Sequence, residues 1–141
     1  MSKVAPEIFK AYDIRGIVGQ SLTEETVELI GKSLGTEARR RGGTHITIGR
    51  DGRLSGPAFS KALAKGIQST GIHVVDIGMV ATPMTYFGAV YLKTGSAVMI
   101  TGSHNPPDYN GIKMVIQGDT LALEAIQVLL KRIEADDFDT G

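Results

Sequence analysis

Short runs of β-branched residues alternate with longer amphipathic segments along this chain, and that alternation constrains the fold more than any other feature. Strands are predicted at Ile8–Val18, His45–Gly49, Ile72–Ile77, Ala97–Ile100 and Gly111–Ile116. Helices are predicted after Ser21–Glu25, from Ser55–Pro57, from Thr82–Pro83 and over Leu121–Ala135. The pattern predicts an α/β domain of three layers (α/β/α), with helices on both faces of a mostly parallel mixed sheet of about four to five strands.

The charge balance argues against two classes of partner. Fifteen Lys and Arg residues are matched by fifteen Asp and Glu residues. Without a net positive field, neither nucleic acid nor a membrane surface is expected as a partner. The basic run Arg39–Arg41 precedes Gly42, and cations before a glycine are typical of a helix end. We therefore interpret this run as a solvated helix end rather than a nucleic-acid patch.

Length and composition are those of one compact domain. The chain has 141 residues and no cysteine, which excludes disulfides and thiolate metal sites. No stretch approaches the roughly 20 apolar residues of a membrane span, and the first residues lack the apolar run of a signal peptide. The expected location is the cytoplasm.

The segment Thr101–Met114 carries the most unusual chemistry. It follows a predicted strand, where open α/β sheets bind ligands, and it holds Ser103, His104 and Lys113. A hydroxyl, an imidazole and a cation are groups that phosphoryl transfer uses. Gly102 would let the backbone approach a ligand, and Gly111 would allow a further turn before the lysine. The alternative is a Pro/Asn/Gly turn that only connects two strands.

Three motifs together resemble one enzyme family. They are Thr101-Gly102-Ser103-His104-Asn105-Pro106, Phe9-Lys10-Ala11-Tyr12-Asp13-Ile14-Arg15-Gly16 and Gly49-Arg50-Asp51-Gly52-Arg53. In this order and spacing they are similar to the amino-terminal domain, domain I, of the α-D-phosphohexomutases, and most similar to the bacterial phosphomannomutase/phosphoglucomutases. The residue before the serine is often Ala in that family, so Gly102 is a mild departure that should leave the chemistry intact.

The resemblance implies a role for each of five residues. Ser103 would carry the phosphoryl group and exchange it with hexose 1- and 6-phosphates of mannose or glucose through a 1,6-bisphosphate. Lys113 would assist proton transfer and bind phosphate, and His104 would orient the reacting groups. Arg15 and Tyr12 would face the phosphoserine and the substrate.

The resemblance also implies a magnesium ion. Ser103 would be a metal ligand through its phosphate, and the other ligands in the family come from an Asp-x-Asp-x-Asp loop. This chain has no such loop. The remaining aspartates are therefore expected beyond residue 141.

The remaining arginines and histidines of interest are less specific indicators of function. Arg50 and Arg53 would either add positive potential to the substrate cleft or form structural ion pairs with Asp51. His45 and His73 fall on predicted strands away from the motif, and we interpret both as structural.

The predicted organisation is domain I over residues 1–135, with the phosphoserine loop at 101–111 and the start of an interdomain linker at 136–141. By the resemblance, domains II to IV are absent from this chain and would be its partners, so the chain alone is expected to lack mutase activity.

Three other functions are conceivable for such a domain. A serine hydrolase would need a Gly-x-Ser-x-Gly elbow, and a nucleotide-binding module would need a glycine-rich phosphate loop; neither motif is present. A non-catalytic domain that binds sugar phosphates or another protein remains the alternative.

Overall fold

The computed structural model describes residues 4–80, 94–102, 106 and 108–141. The helix predicted from Thr82–Pro83 falls outside these ranges. The described helices are a 3₁₀ turn at Pro6–Ile8 and the α-helices α1 (Glu24–Arg40), α2 (Gly56–Gln68) and α3 (Glu124–Glu134). The described strands are β1 (Ile14–Ile17), β2 (His45–Arg50), β3 (His73–Met79), β4 (Ala97–Ile100), β5 (Tyr109–Ile116) and β6 (Asp119–Thr120).

All six described strands form one mixed sheet. The order is β1-β5-β4-β2-β3, and β6 pairs with β5. The β2–β3 and β2–β4 pairs are parallel, whereas β1–β5, β4–β5 and β5–β6 are antiparallel. This confirms the predicted α/β class and mixed sheet, with one strand more than the predicted range. Strand β6 arises because Gln117 and Gly118 have φ values of 46° and 89° and form a tight hairpin turn.

Local signals account for the helix boundaries. Thr23 caps α1, because its hydroxyl accepts a hydrogen bond from the backbone N–H of Thr26 at 3.2 Å. Pro57 lies in the first turn of α2, where its missing N–H costs nothing. The first strand begins later than predicted: Lys10 donates its backbone N–H to the carbonyl of Asp13, so the chain turns before entering β1.

The main core lies between the sheet and the described helices. Helix α1 packs against α2 and α3, and the side chains of Ile14, Ile48, Ile100 and Ile112 point from the strands into this core. Neighbouring strand residues point to the opposite face. Strand β4 is buried at all four positions, as expected for a strand covered on both faces.

Helices α1 and α2 meet through glycines. A Cβ atom at Gly66 of α2 would overlap the backbone carbonyl oxygen of Glu28 in α1. A Cβ atom at Gly31 would lie 2.5 Å from the carbonyl oxygen of Leu63, and one at Gly35 would collide with Thr70. The two backbones therefore approach more closely than larger residues would allow.

The carboxy-terminal residues lie against the end of α1. Arg40 binds Asp137 at 3.0 Å and Asp139 at 3.1 Å, and Arg39 donates to the carbonyl oxygens of Thr70 and Thr140. The basic run therefore holds residues 137–140 in place and is more than a solvated helix end. That residues 136–141 begin an interdomain linker remains a prediction.

Candidate phosphoryl-transfer site

The candidate site lies at the edge of the sheet where β2 and β4 end. Because these strands are parallel, Asp51 and Thr101, which follow them, come together at that edge. The β4–β5 connection begins at Thr101, and Val18, directly after β1, donates its backbone N–H to the carbonyl of Asp108 at 2.8 Å. Arg15, in β1, is in register with Gly111, whose carbonyl accepts the backbone N–H of Thr101 at 2.9 Å. Part of each of the three motifs therefore lies at this edge.

The predicted nucleophile itself is outside the described part of the chain. Ser103, His104, Asn105 and Pro107 are not among the described residues. The described residues on either side are Gly102 and Pro106, and their contacts define the two ends of the loop.

Two predicted cations lie on one face of the sheet. Arg15 in β1 is in register with Gly111 in β5, and Lys113 is two residues further along β5. Side chains two apart on a strand point to the same face. That face is opposite to the core face marked by Ile14 and Ile112. The structure therefore brings Arg15 and Lys113 to the same side of β1 and β5.

The surroundings of the two cations differ. Arg15 lies 3.7 Å from the carboxylate of Asp13. Lys113 is half-buried, and it makes no hydrogen bond or ion pair within the described residues.

Gly111 has a role that differs from the predicted turn. It lies inside β5, and a Cβ atom there would lie 2.6 Å from the carbonyl oxygen of Ile14 and 3.3 Å from that of Thr101. The missing side chain allows β1 to approach β5 closely beside Arg15.

Tyr12 is the most exposed of the predicted site residues that the structure describes. Its side chain is 73% exposed, and it lies in the turn that precedes β1. It is thus accessible to a substrate, but the described contacts do not link it to the loop ends.

The two arginines of the second motif point to different places. The side chain of Arg53 is mostly buried and lies 3.7 Å from Asp51. Arg50 lies 3.8 Å from Asp76 and lines an open groove between α2 and β3 together with Ser60, Lys61 and Lys65. Both arginines have an acidic partner, which favours the interpretation that they form structural ion pairs. Only Arg53 pairs with Asp51, the partner that the sequence suggested for both; Arg50 pairs with Asp76 instead.

Two residues of the site, Asn110 and Ser55, have a role that the sequence did not reveal. Asn110 is fully buried; its side-chain amide donates to the hydroxyl of Ser55 at 2.7 Å, and its side-chain oxygen accepts the backbone N–H of Gly111 at 2.9 Å. The pair joins β5 to the start of α2. The only sequence signal for this role was the polar residue Asn110 directly before Gly111. Its partner, Ser55, is 55 residues away in the chain, so the sequence did not indicate the pair.

Two negative findings apply to the described residues. No group of three or more His, Asp or Glu side chains there could hold a metal ion. None of the helices in the described ranges has the length and apolar character needed to cross a membrane.

Comparison with known proteins decides the family. Residues 6–140 match the family described as "Phosphoglucomutase/phosphomannomutase, alpha/beta/alpha domain I". This chain belongs to that family. The family description also names the three-layer architecture that the strand and helix pattern predicts.

Individual relatives support the same assignment. The domain is 59% identical over 138 residues to a phosphoglucomutase of Neisseria meningitidis serogroup B, a match that covers 98% of this chain and 30% of the relative. It is 54% identical over 134 residues to a phosphomannomutase/phosphoglucomutase of Pseudomonas aeruginosa PAO1, covering 95% of this chain and 29% of that protein.

A solved structure shares the fold. A phosphoglucomutase/phosphomannomutase family protein of Burkholderia thailandensis superposes with a TM-score of 0.91 at 46% identity, covering 98% of this chain and 32% of that one. Domain I thus spans about 30% of the length of the curated relatives that it matches.

Proposed function

We propose that this domain supplies the phosphoryl-carrying serine, Ser103, of a mutase that interconverts hexose 1- and 6-phosphates of glucose or mannose. The observation that carries the proposal is the convergence of the three motifs at one sheet edge. Arg15 and Lys113 share a face beside the strand ends, and the loop that contains Ser103 begins and ends at that edge. Cations placed around a phosphoryl group stabilise the charge on its oxygens.

The proposed transfer conserves atoms and charge. A hydroxyl oxygen of the sugar phosphate bonds to phosphorus, and the bond from phosphorus to the Ser103 oxygen breaks. The hydroxyl proton passes to the serine oxygen, with Lys113 as the relaying group. The bisphosphorylated sugar then returns its other phosphoryl group to Ser103 by the reverse step. Arg15 and Tyr12 would bind the sugar phosphate, and His104 would orient the groups.

A magnesium ion would be held only in part by this domain. The phosphate on Ser103 would be one ligand, and the described residues contain no acidic cluster that could complete the set. When bound, the ion would neutralise phosphoryl charge. The remaining ligands would come from aspartates outside this chain.

The remaining domains of a longer polypeptide would be the partners of this one, because the relatives are about three times its length. We accordingly propose that the 141-residue chain alone is not a competent mutase. A cytoplasmic location fits the proposed hexose phosphate substrate.

The test is a chimera in which this chain replaces the matching segment of the N. meningitidis relative. We expect the unmodified chimera to form a phosphoenzyme with glucose 1,6-bisphosphate. Ser103→Ala should abolish the phosphoenzyme, as measured by mass spectrometry of the intact protein. The matched control is Thr140→Ala, which also removes one hydroxyl, but from a residue beside the end of α1, and which should leave the phosphoenzyme unchanged.

Phosphate found on another residue of the chimera, with Ser103 unmodified, would contradict the proposal. The alternative function, non-catalytic binding of sugar phosphates, predicts that glucose 1-phosphate binds to the chain while no phosphoenzyme forms under any condition.

A further inference from the structure

Asp51 holds the first end of the Ser103 loop. Its carboxylate accepts the hydroxyl of Thr101 at 2.9 Å and the backbone N–H of Gly102 at 3.0 Å through the same oxygen. Its other oxygen accepts the backbone N–H of Arg53 at 3.1 Å. The Asp51 side chain is 18% exposed, so these hydrogen bonds are partly shielded from water.

Arg53 holds the second end. One nitrogen of its guanidinium donates to the carbonyl oxygens of Pro106 at 2.6 Å and Tyr109 at 3.0 Å. The same side chain lies 3.7 Å from Asp51, and it is 16% exposed. The guanidinium is permanently charged, which strengthens its hydrogen bonds to both carbonyl oxygens.

Gly102 completes the arrangement. A Cβ atom at this position would overlap the Arg53 guanidinium. The guanidinium therefore packs directly on the backbone of the residue before Ser103, while it binds the carbonyls on the far side of the loop. The Asp51–Arg53 ion pair thus links the two ends of the loop, which are separated along the chain by residues 103–105.

We infer that Asp51 and Arg53, here called the 51/53 clasp, are positioning residues that set the distance between the two ends of the loop and so place Ser103 for phosphoryl transfer. The inference rests on the proposed function of Ser103. Neither residue touches the transferred group in this role; they act through the backbone of Gly102 and Pro106. Such positioning matters for the rate, because a displacement of a reacting group by about 1 Å can reduce the rate by about 100-fold.

The competing explanation is an electrostatic field. If Arg53 acted only as a positive charge near the substrate, removing Asp51 would increase the local positive potential and favour anionic sugar phosphates. If the clasp positions the loop, removing either member lowers the rate. Asp51→Asn therefore has opposite expected effects under the two explanations.

The variants are Arg53→Met, Arg53→Lys and Asp51→Asn, with Arg39→Met as the matched control. Arg39 also donates one guanidinium nitrogen to two carbonyl oxygens, at 2.7 Å and 2.9 Å, but at the far end of α1. Each variant is made in the 141-residue chain for hydrogen exchange and in the chimera for kinetics. Urea unfolding of each chain establishes that it folds.

In the 141-residue chain, we expect Arg53→Met and Asp51→Asn to accelerate amide hydrogen exchange at Gly102 and Tyr109 by about tenfold or more, since each amide belongs to an end of the loop that the clasp holds. Arg39→Met should leave both amides unchanged. Unchanged exchange at Gly102 and Tyr109 in both clasp variants would overturn the inference.

In the chimera, we expect Arg53→Met to reduce kcat by about 100-fold with KM changed by less than about threefold, and Asp51→Asn to reduce kcat as well. Arg53→Lys should recover part of kcat, because its ammonium group keeps the positive charge and N–H donors but lacks the planar shape and reach of the guanidinium. A decrease in KM with unchanged kcat in Asp51→Asn would favour the field and overturn positioning.

The outcomes separate this inference from the proposed function. If Ser103→Ala leaves the phosphoenzyme intact, the proposed function fails whatever the clasp does. If Ser103→Ala abolishes the phosphoenzyme while Arg53→Met and Asp51→Asn retain full kcat, only the clasp fails.

Discussion

At the residue scale, the contact between Gly102 and Arg53 gives a physical reason for the glycine at position 102. The residue before Ser103 is glycine here, whereas alanine is common at this position of the family. The sequence predicts that this departure leaves the chemistry intact. In the structure the position is occupied on its open side by the Arg53 guanidinium, so the identity of residue 102 and the conformation of Arg53 depend on each other.

We expect Gly102→Ala to displace Arg53 from the carbonyl oxygens of Pro106 and Tyr109, at a cost of about 1–2 kcal/mol in the free energy of unfolding. Urea denaturation measures this cost. In an Arg53→Met background the same substitution should cost much less, because the group it displaces has gone. Equal costs in both backgrounds would contradict the contact.

At the element scale, the packing of α1 on α2 depends on absent side chains. Gly31 and Gly35 in α1 lie against α2, and Gly66 in α2 lies against α1. The helical spacing of apolar residues predicted both helices, but it contained no indication that their backbones touch. Glycine is a poor helix former, by about 1 kcal/mol relative to alanine. The three glycines therefore lower the intrinsic stability of the helices but allow their backbones to pack closely.

We expect Gly66→Ala to destabilise the domain by about 1–3 kcal/mol despite the better helix propensity of alanine, because the added carbon would meet the backbone of Glu28, which cannot rotate away. Thermal or urea unfolding measures the change. Gly52→Ala is the control: the nearest atom to its added carbon is the sulfur of Met79 at 3.6 Å, an ordinary contact. A stabilised Gly66→Ala variant would show that the helices can separate without cost.

At the scale of the whole molecule, an ionic cluster joins α1, α3 and β6. Glu37 accepts hydrogen bonds from Arg41 at 2.6 Å and from Arg132 at 3.0 Å, and Arg41 also binds Asp119 at 2.8 Å. Burial raises the pKa of Glu37, but the hydrogen bonds from Arg41 and Arg132 outweigh it and hold that pKa below its ordinary value.

The sign of the pH dependence follows from that depressed pKa. The ionised Glu37 stabilises the fold above the unfolded-state pKa of about 4.3, and this contribution is lost as the pH falls through the lower folded-state pKa. We expect Glu37→Gln to cost about 2 kcal/mol at neutral pH and progressively less on acidification below about pH 4. Urea unfolding at a series of pH values measures this, with Glu7→Gln, an exposed site, as the control. A cost that is independent of pH would contradict the role of the carboxylate.

The whole molecule also sets the limit of its proposed activity. We expect the 141-residue chain alone not to convert mannose 1-phosphate or glucose 1-phosphate over multiple turnovers, because the described residues hold no set of metal ligands and the relatives are about three times as long. A coupled assay for the 6-phosphate product measures this. Sustained turnover by the purified chain would contradict the proposal.

The elements were predictable to the extent that their signals are local. Strand β4 occupies Ala97–Ile100, as predicted, because a short apolar run between polar loops has few alternatives. Strand β6 was missed because the Gln117–Gly118 turn lacks the Asn-Gly or Asp-Gly signal of a two-residue hairpin. Strand β1 was predicted too long, because the turn before it is closed by a backbone hydrogen bond, and no side chain in the sequence indicates that bond.

Periodicity was sufficient to predict the α/β class and most of the described elements. The resemblance of the three motifs indicated the family and the residues proposed for the chemistry. Both signals reside in residues that are close along the chain. The folded chain was needed to learn that Arg15 and Lys113 share a face and that Arg53 binds carbonyl groups 53 and 56 residues away. Strand order and register bring such distant residues together, and no local pattern encodes them. The Ser103 loop was recognisable from its own residues, but the clasp that holds its ends exists only after folding.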